Sequence, residues 1–178
     1  MAATGPAATE AAIPDTGRAA RLPVHGYVVV GATLLAGLLL QQLAGWRWPW
    51  LAALQADDLY KQLSGCMLVG FIAHQWYFPL LRASGRTVRA AQAGAMHKLA
   101  GAAVPLLFLV HAQQPGHAYT VALSLMLFGI FLTGLANPEN LRLQHPAART
   151  AWTVAHVGLA TALPFVVAAH VYLSYAFE

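Results

Sequence analysis

Five long apolar stretches alternate with short polar segments along the chain. A helix that crosses a bilayer needs about 20 mostly apolar residues, and lipid offers no partner for free backbone groups. The pattern therefore predicts an all-α integral membrane protein with five transmembrane helices, near residues 24–44, 62–81, 93–113, 118–136 and 152–175. The third and fourth stretches are joined by the sequence QQPGH, which is typical of the turn in a helical hairpin.

The segments outside these stretches differ in character. Residues 1–22 are rich in Ala, Thr, Gly and Pro without a periodic apolar pattern, so we expect a disordered cytoplasmic tail. Residues 23–178 then form a single transmembrane domain. Arginines before the first apolar stretch imitate a signal peptide, but we expect an uncleaved first helix. In the long outer loop, residues 45–61, Asp57 and Asp58 could pair with Lys61, hold a short interfacial helix or face a soluble partner.

Composition and charge support a membrane location. Only 9% of the residues are charged and 58% are hydrophobic, whereas about a quarter of the residues of a soluble domain are charged. The net charge of +4 comes without a basic run, so it indicates no nucleic-acid partner. With the N-terminus in the cytoplasm and the C-terminus outside, eight Lys and Arg residues lie on the inner side and two on the outer side. This positive-inside bias predicts a multi-pass protein of the cell inner (plasma) membrane.

Histidine pairs with one spacing occur in the third and fifth stretches. HKLAGAAVPLLFLVH and HVGLATALPFVVAAH each hold a histidine, seven residues, a proline, five residues and a second histidine. Fourteen residues are close to four helical turns, so both histidines of a pair leave one helix face, about 21 Å apart along the axis. The two stretches run parallel, because one span separates them. We expect His97 and His156 at one inner depth, and His111 and His170 at one outer depth.

Two opposed imidazoles at one depth suit haem b, because they fill both axial positions of the iron and leave none open for a substrate. The repeat therefore predicts two haem b groups, with His97 and His156 binding one iron and His111 and His170 the other. Such a pair of haems would carry electrons across the membrane. The prolines at the matching positions, Pro105 and Pro164, should each bend a helix between its histidines.

These histidines could have uses other than haem ligation. Histidines in membranes also make helix-to-helix hydrogen bonds, and a bacteriochlorophyll-type pigment needs one axial histidine. Di-iron and zinc-hydrolase ligand patterns such as H-E-x-x-H do not occur in the sequence. Two alternative functions stay open. One is a quinol oxidoreductase or a transmembrane metal (ferric) reductase, with a substrate site at one haem edge. The other is a non-redox transporter or assembly factor.

The segments MHKLAGAAVPLLFLVHA and WTVAHVGLATALPFVVAAHVYL resemble the histidine helices of ferric-reductase-like transmembrane domains. They are also similar to the wider group of di-haem cytochromes b, including the b561 type. The resemblance covers about 80 residues and implies the same ligand pairs. We expect the chain to depart from that family by having five spans, where six are usual, and by having no flavin or nicotinamide domain after them. We therefore expect electron exchange with a quinone, a periplasmic cytochrome or reductase, or a cytoplasmic flavoprotein, with the direction of transfer left open.

A second group of residues is predicted to surround the haems. His74 could bond a haem propionate, help a quinone site with Gln75, replace an axial ligand if the histidines pair differently, or form a plain helix contact. The basic residues of the inner side could pair with haem propionates or with lipid headgroups. His117 could contact the propionates of the outer haem or a partner. The candidates in this group are His74, Lys98, Arg86, Arg89 and His117.

Overall fold

The structure is a computed structural model and describes residues 26–176, so the predicted tail over residues 1–22 lies outside it. The described residues form helices and no strand, which confirms the all-α prediction for this part of the chain. The helices are α1 (Gly26–Leu43), α2 (Pro49–Ala56), α3 (Asp58–Ala83), α4 (Thr87–Ala102), α5 (Val104–His111), α6 (Tyr119–Leu135) and α7 (Pro146–Ala176).

Among residues 26–176, α1 and α7 are each long and apolar enough to cross a membrane alone. The helices α4 and α5 meet the same criterion only together, as a pair bent by 47°. The apolar helix α6 has 17 residues, and the 26-residue α3 carries polar residues along its length. The described chain therefore holds two candidate spans, or three if the bent pair is one span.

The two proline-containing histidine helices differ. The helix is interrupted at Ala103, between α4 and α5, two residues before the fully buried Pro105. By contrast, α7 continues without a break through Pro164. A proline removes one helical hydrogen bond in either case. The predicted bend is thus present in the first helix, while the second stays a single helix of 31 residues.

The bent pair lies in the middle of the bundle. It packs against α1, α3 and α6, whereas α7 packs chiefly against α6. Gly31 of α1 allows a close approach, because a Cβ atom there would lie 3.0 Å from Leu135 and 3.4 Å from Ala102. The two histidine helices are consequently separated by α6 and by a cavity.

Residues 45–61 contain α2, so a short helix, one of the alternatives for this loop, is present there. Asp57 caps α3 by accepting a hydrogen bond from the Tyr60 amide at 2.9 Å, and Asp58 pairs with Lys61 at 2.8 Å. The turn between α5 and α6 includes Gly116, whose φ of +79° is in the left-handed region that favours glycine.

Candidate functional site

The structure brings His97 of α4 and His156 of α7 together across the bundle. Their ring centres are 6.4 Å apart, and the ring planes meet at 82°. Both side chains are partly buried. The two residues come from helices that make few direct contacts with each other, so their proximity is a property of the whole helix arrangement.

This spacing fits two ligands of one metal ion. With a metal–nitrogen bond of about 2 Å and about 1.1 Å from that nitrogen to the ring centre, two imidazoles on opposite sides of a metal have centres about 6 Å apart. The observed separation of 6.4 Å agrees with this value. The pair therefore fits bis-axial ligation, provided that the outward nitrogen of each ring, Nε2, is free.

The tautomer of His97 is fixed by the backbone of α3. Its Nδ1 lies 3.2 Å from the carbonyl oxygen of Gln75. A carbonyl only accepts, so Nδ1 must carry the proton, and the lone pair is left on Nε2. Gln75 precedes Pro79 by four residues within α3. Because proline has no backbone N–H, the Gln75 carbonyl lacks its helical donor and is available to the imidazole.

His156 is held in an equivalent way by α6. Its Nδ1 lies 2.8 Å from the hydroxyl oxygen of Thr133, which donates to the Gly129 or Ile130 carbonyl at 2.9 Å. The hydroxyl proton is engaged by the helix backbone, so the oxygen accepts from Nδ1–H. Hydrogen bonds of this kind set the orientation and basicity of a metal-binding histidine. Both inner imidazoles thus direct a free Nε2 away from their supporting helices.

A cavity of about 460 Å³ lies between these two histidines. Its walls are formed by α1, α3, α4, α6 and α7, together with Val104 of the short α5. The volume is in the range of cofactor sites. Small residues, including Gly101, Ala160 and Gly134, leave room beside the rings. A Cβ atom at Gly134 would lie 3.5 Å from the His156 ring.

Positive and polar groups line the rim of this cavity. Arg82 and Lys98 are part of its lining, and Lys98 forms an ion pair with Glu139 of the α6–α7 loop. Tyr27 also lines it, and its hydroxyl accepts hydrogen bonds from Asn137 at 2.6 Å and from Asn140 at 2.8 Å. The cavity therefore combines an apolar interior with cations that would suit the carboxylates of a ligand.

The outer histidines are arranged differently. Nδ1 of His111 lies 3.0 Å from the hydroxyl oxygen of Ser64, whose proton is donated to the Lys61 carbonyl of α3. The Nδ1 atom of His170 is buried without a hydrogen-bond partner, and its ring lies 5.9 Å from that of Tyr119. His111 and His170 are close enough to interact electrostatically. Within the described chain, however, no ring contact joins His111 to His170, unlike the inner pair.

The other predicted residues lie around the inner centre or away from both. His74 and Arg89 line a second cavity of about 390 Å³, which shares His97 with the first. Arg86 is the exposed N-cap residue of α4, and His117 is exposed in the turn before α6. Of this group, Lys98 alone lines the cavity between the histidines.

The residues that hold three of these histidines and Lys98 were not predicted from the sequence. They are Ser64, the Gln75 carbonyl with Pro79, Thr133, Trp152 and Glu139. One signal was available, because Trp152 precedes His156 by one helical turn and therefore shares its face. The partners on other helices carry no spacing signal, since their register depends on packing.

A comparison of the chain with protein-family models, curated proteins and solved structures found no match. Within residues 26–176, no group of three or more His, Cys, Asp or Glu side chains is placed to hold a metal ion. The inner centre instead offers two imidazoles from opposite sides. Two is the number of protein ligands that a six-coordinate iron porphyrin takes.

Proposed function

We propose that this chain is a di-haem cytochrome b that transfers electrons across a membrane. The observation that carries the proposal is the inner pair, in which two imidazoles face each other at 6.4 Å with both Nδ1 atoms bonded elsewhere. In this proposal His97 and His156 bind one haem iron, and His111 and His170 bind a second. Haem b supplies one-electron redox chemistry when it is bound.

The residues of the chain supply position and charge. Two axial histidines close the iron to other ligands, so they favour electron transfer over substrate activation. Lys98 and Arg82 are available to bind haem propionates at the cavity rim, and Glu139 holds Lys98 at that rim. The apolar walls exclude water, which affects the redox potential of a bound group.

The proposal includes a membrane arrangement. Five spans are formed by α1, α3, the bent pair, α6 and α7, with the N-terminus in the cytoplasm. The positive-inside bias of the sequence supports this orientation. The inner pair then lies towards the cytoplasmic side, and the outer pair lies about 21 Å further along the helices. Electrons would be exchanged with a quinone, a periplasmic cytochrome or reductase, or a cytoplasmic flavoprotein.

A reduced-minus-oxidised absorption spectrum of the purified chain tests the proposal, together with haem quantified per polypeptide. We expect two b-type haems per chain and the narrow α band of low-spin iron with two histidine ligands. A chain that purifies without haem, and takes up none when haemin is added, contradicts the proposal. A single haem per chain contradicts its outer half.

A quinol oxidoreductase is a second candidate, because a second cavity lies beside His97 and shares His97 and Phe78 with the lining of the first. Its lining combines the aromatic rings of Tyr77 and Phe78 with polar His74 and Arg89. A bound quinol would give up two electrons to the ferric irons and two protons to solvent, with His74 as a proton acceptor in the lining. Quinol-dependent haem reduction that is lost in His74→Leu, with haem content unchanged, would favour this function.

A further inference from the structure

Trp152, Thr133 and His156 form a cluster that joins α6 to α7. The indole of Trp152 is stacked on the imidazole of His156, with ring centres 5.1 Å apart and planes within 9° of parallel. The indole N–H donates to the Thr133 carbonyl at 2.7 Å. The hydroxyl of the same threonine accepts from His156 Nδ1 at 2.8 Å. One residue of α6 therefore holds both rings of α7.

The cluster restricts two different motions of the imidazole. The hydrogen bond from Nδ1 keeps the proton on that atom and directs Nε2 into the cavity. The stacked indole prevents rotation of the ring out of its plane, because such a rotation would bring the two rings into collision. The indole in turn is restrained by its own hydrogen bond. The plane of His156 is consequently fixed from two sides.

His97 has no comparable stack. Its ring neighbour is Phe78, whose plane is tilted by 39° at a centre distance of 5.2 Å. The two imidazoles of the inner pair therefore sit in unequal surroundings, and their planes differ by 82°.

We propose that Trp152 and Thr133 are positioning residues that fix the plane and the basicity of His156 as an axial ligand. This inference rests on the proposed function. Trp152 sets the plane, and it thereby sets the angle between the two ligand planes. Thr133 draws the Nδ1 proton towards its hydroxyl, which makes Nε2 a stronger donor and stabilises ferric iron.

The test uses the haem-loaded full chain and electron paramagnetic resonance of the ferric state, whose g values depend on the angle between the ligand planes. Trp152→Leu should shift the largest g value of the inner haem and leave the outer signal unchanged, and Trp152→Phe should give a smaller shift. Thr133→Val should raise the midpoint potential of the inner haem, because Nε2 becomes a weaker donor. Thr133→Ser keeps the hydroxyl and should retain the wild-type potential.

Trp50→Leu is the matched control for loss of an indole, since Trp50 is exposed at the outer side of the chain. Unchanged g values in both Trp152 variants, or an unchanged potential in Thr133→Val, would overturn the inference. If Trp152→Leu loses the inner haem, the largest g value of Trp152→Phe is compared with the wild-type value instead. An unchanged g value then overturns the inference. A wild-type chain without haem would overturn the proposed function, whereas haem-loaded variants with wild-type spectra overturn only this inference.

Discussion

The inner and outer histidine pairs have one sequence spacing but different surroundings. At the inner pair, a carbonyl of α3 and a hydroxyl of α6 each hold one imidazole, and the rings face each other at 6.4 Å. At the outer pair, Ser64 holds His111, while Nδ1 of His170 is buried without a partner. The inner centre is therefore more fully organised by the protein alone.

The helix backbones that carry the two pairs also differ. The first histidine helix bends by 47° at Ala103, whereas α7 continues unbroken past Pro164. Equal spacing in sequence therefore does not make the two pairs equivalent.

Loss of an inner ligand should have the largest effect. We expect His97→Ala and His156→Ala each to remove the same haem, leaving one per chain, and to lower the thermal unfolding temperature. The reason is that both residues face one cavity lined by several helices. Haem per polypeptide and heat denaturation in detergent measure the two effects.

His145→Ala is the control, because His145 is exposed in the α6–α7 loop. Different haems lost in His97→Ala and His156→Ala would show that the two residues do not share a centre.

Loss of an outer ligand should have a more local effect. We expect His170→Ala to remove one haem and leave the inner haem with its wild-type spectrum. The unfolding temperature should fall less than in the inner variants, because the protein organises the outer centre less fully. Loss of neither haem in His170→Ala would show that the proposed pairing is wrong.

The helices, the approach of the inner histidines and one proline bend could be predicted from the sequence. Apolar stretches predict the helices of the described chain, because helices of this kind depend on local composition. The repeated spacing, together with parallel histidine helices, predicts that His97 and His156 approach each other, and their rings are 6.4 Å apart. The bend of 47° beside Pro105 also follows from the sequence, and α7 stays one helix through Pro164.

The supporting residues could not be predicted in the same way. Thr133 bonds a histidine 23 residues later in the chain, and Ser64 bonds one 47 residues later. Such partners depend on how far each helix is rotated about its axis, which apolar periodicity leaves undetermined when most helix faces are apolar. Polar residues within apolar stretches were visible, but their partners were not.

Removal of the single outer anchor should weaken the outer centre. Ser64→Ala leaves Nδ1 of His111 without its partner, and an unsatisfied buried donor costs about 1–3 kcal/mol. We expect the outer haem to dissociate roughly tenfold or more faster when apomyoglobin is present as a haem acceptor, while the inner haem dissociates at the wild-type rate. Ser84→Ala is the matched control, because the Ser84 hydroxyl bonds the Leu81 carbonyl near the opposite end of α3. Faster loss of the inner haem would contradict the assignment of Ser64 to the outer centre.

The smallest expected effect concerns the inner anchor on α3. Pro79→Ala restores a backbone N–H that competes with His97 for the Gln75 carbonyl, so the helix gains a bond while the imidazole loses part of one. One shared hydrogen bond is worth about 1 kcal/mol, which corresponds to roughly fivefold faster loss of the inner haem. Because an interior proline disfavours a helix, the unfolding temperature should stay the same or rise. This opposite sign separates loss of ligand support from general destabilisation. Slower or unchanged loss of the inner haem would show that the Gln75 carbonyl holds His97 without any contribution from Pro79.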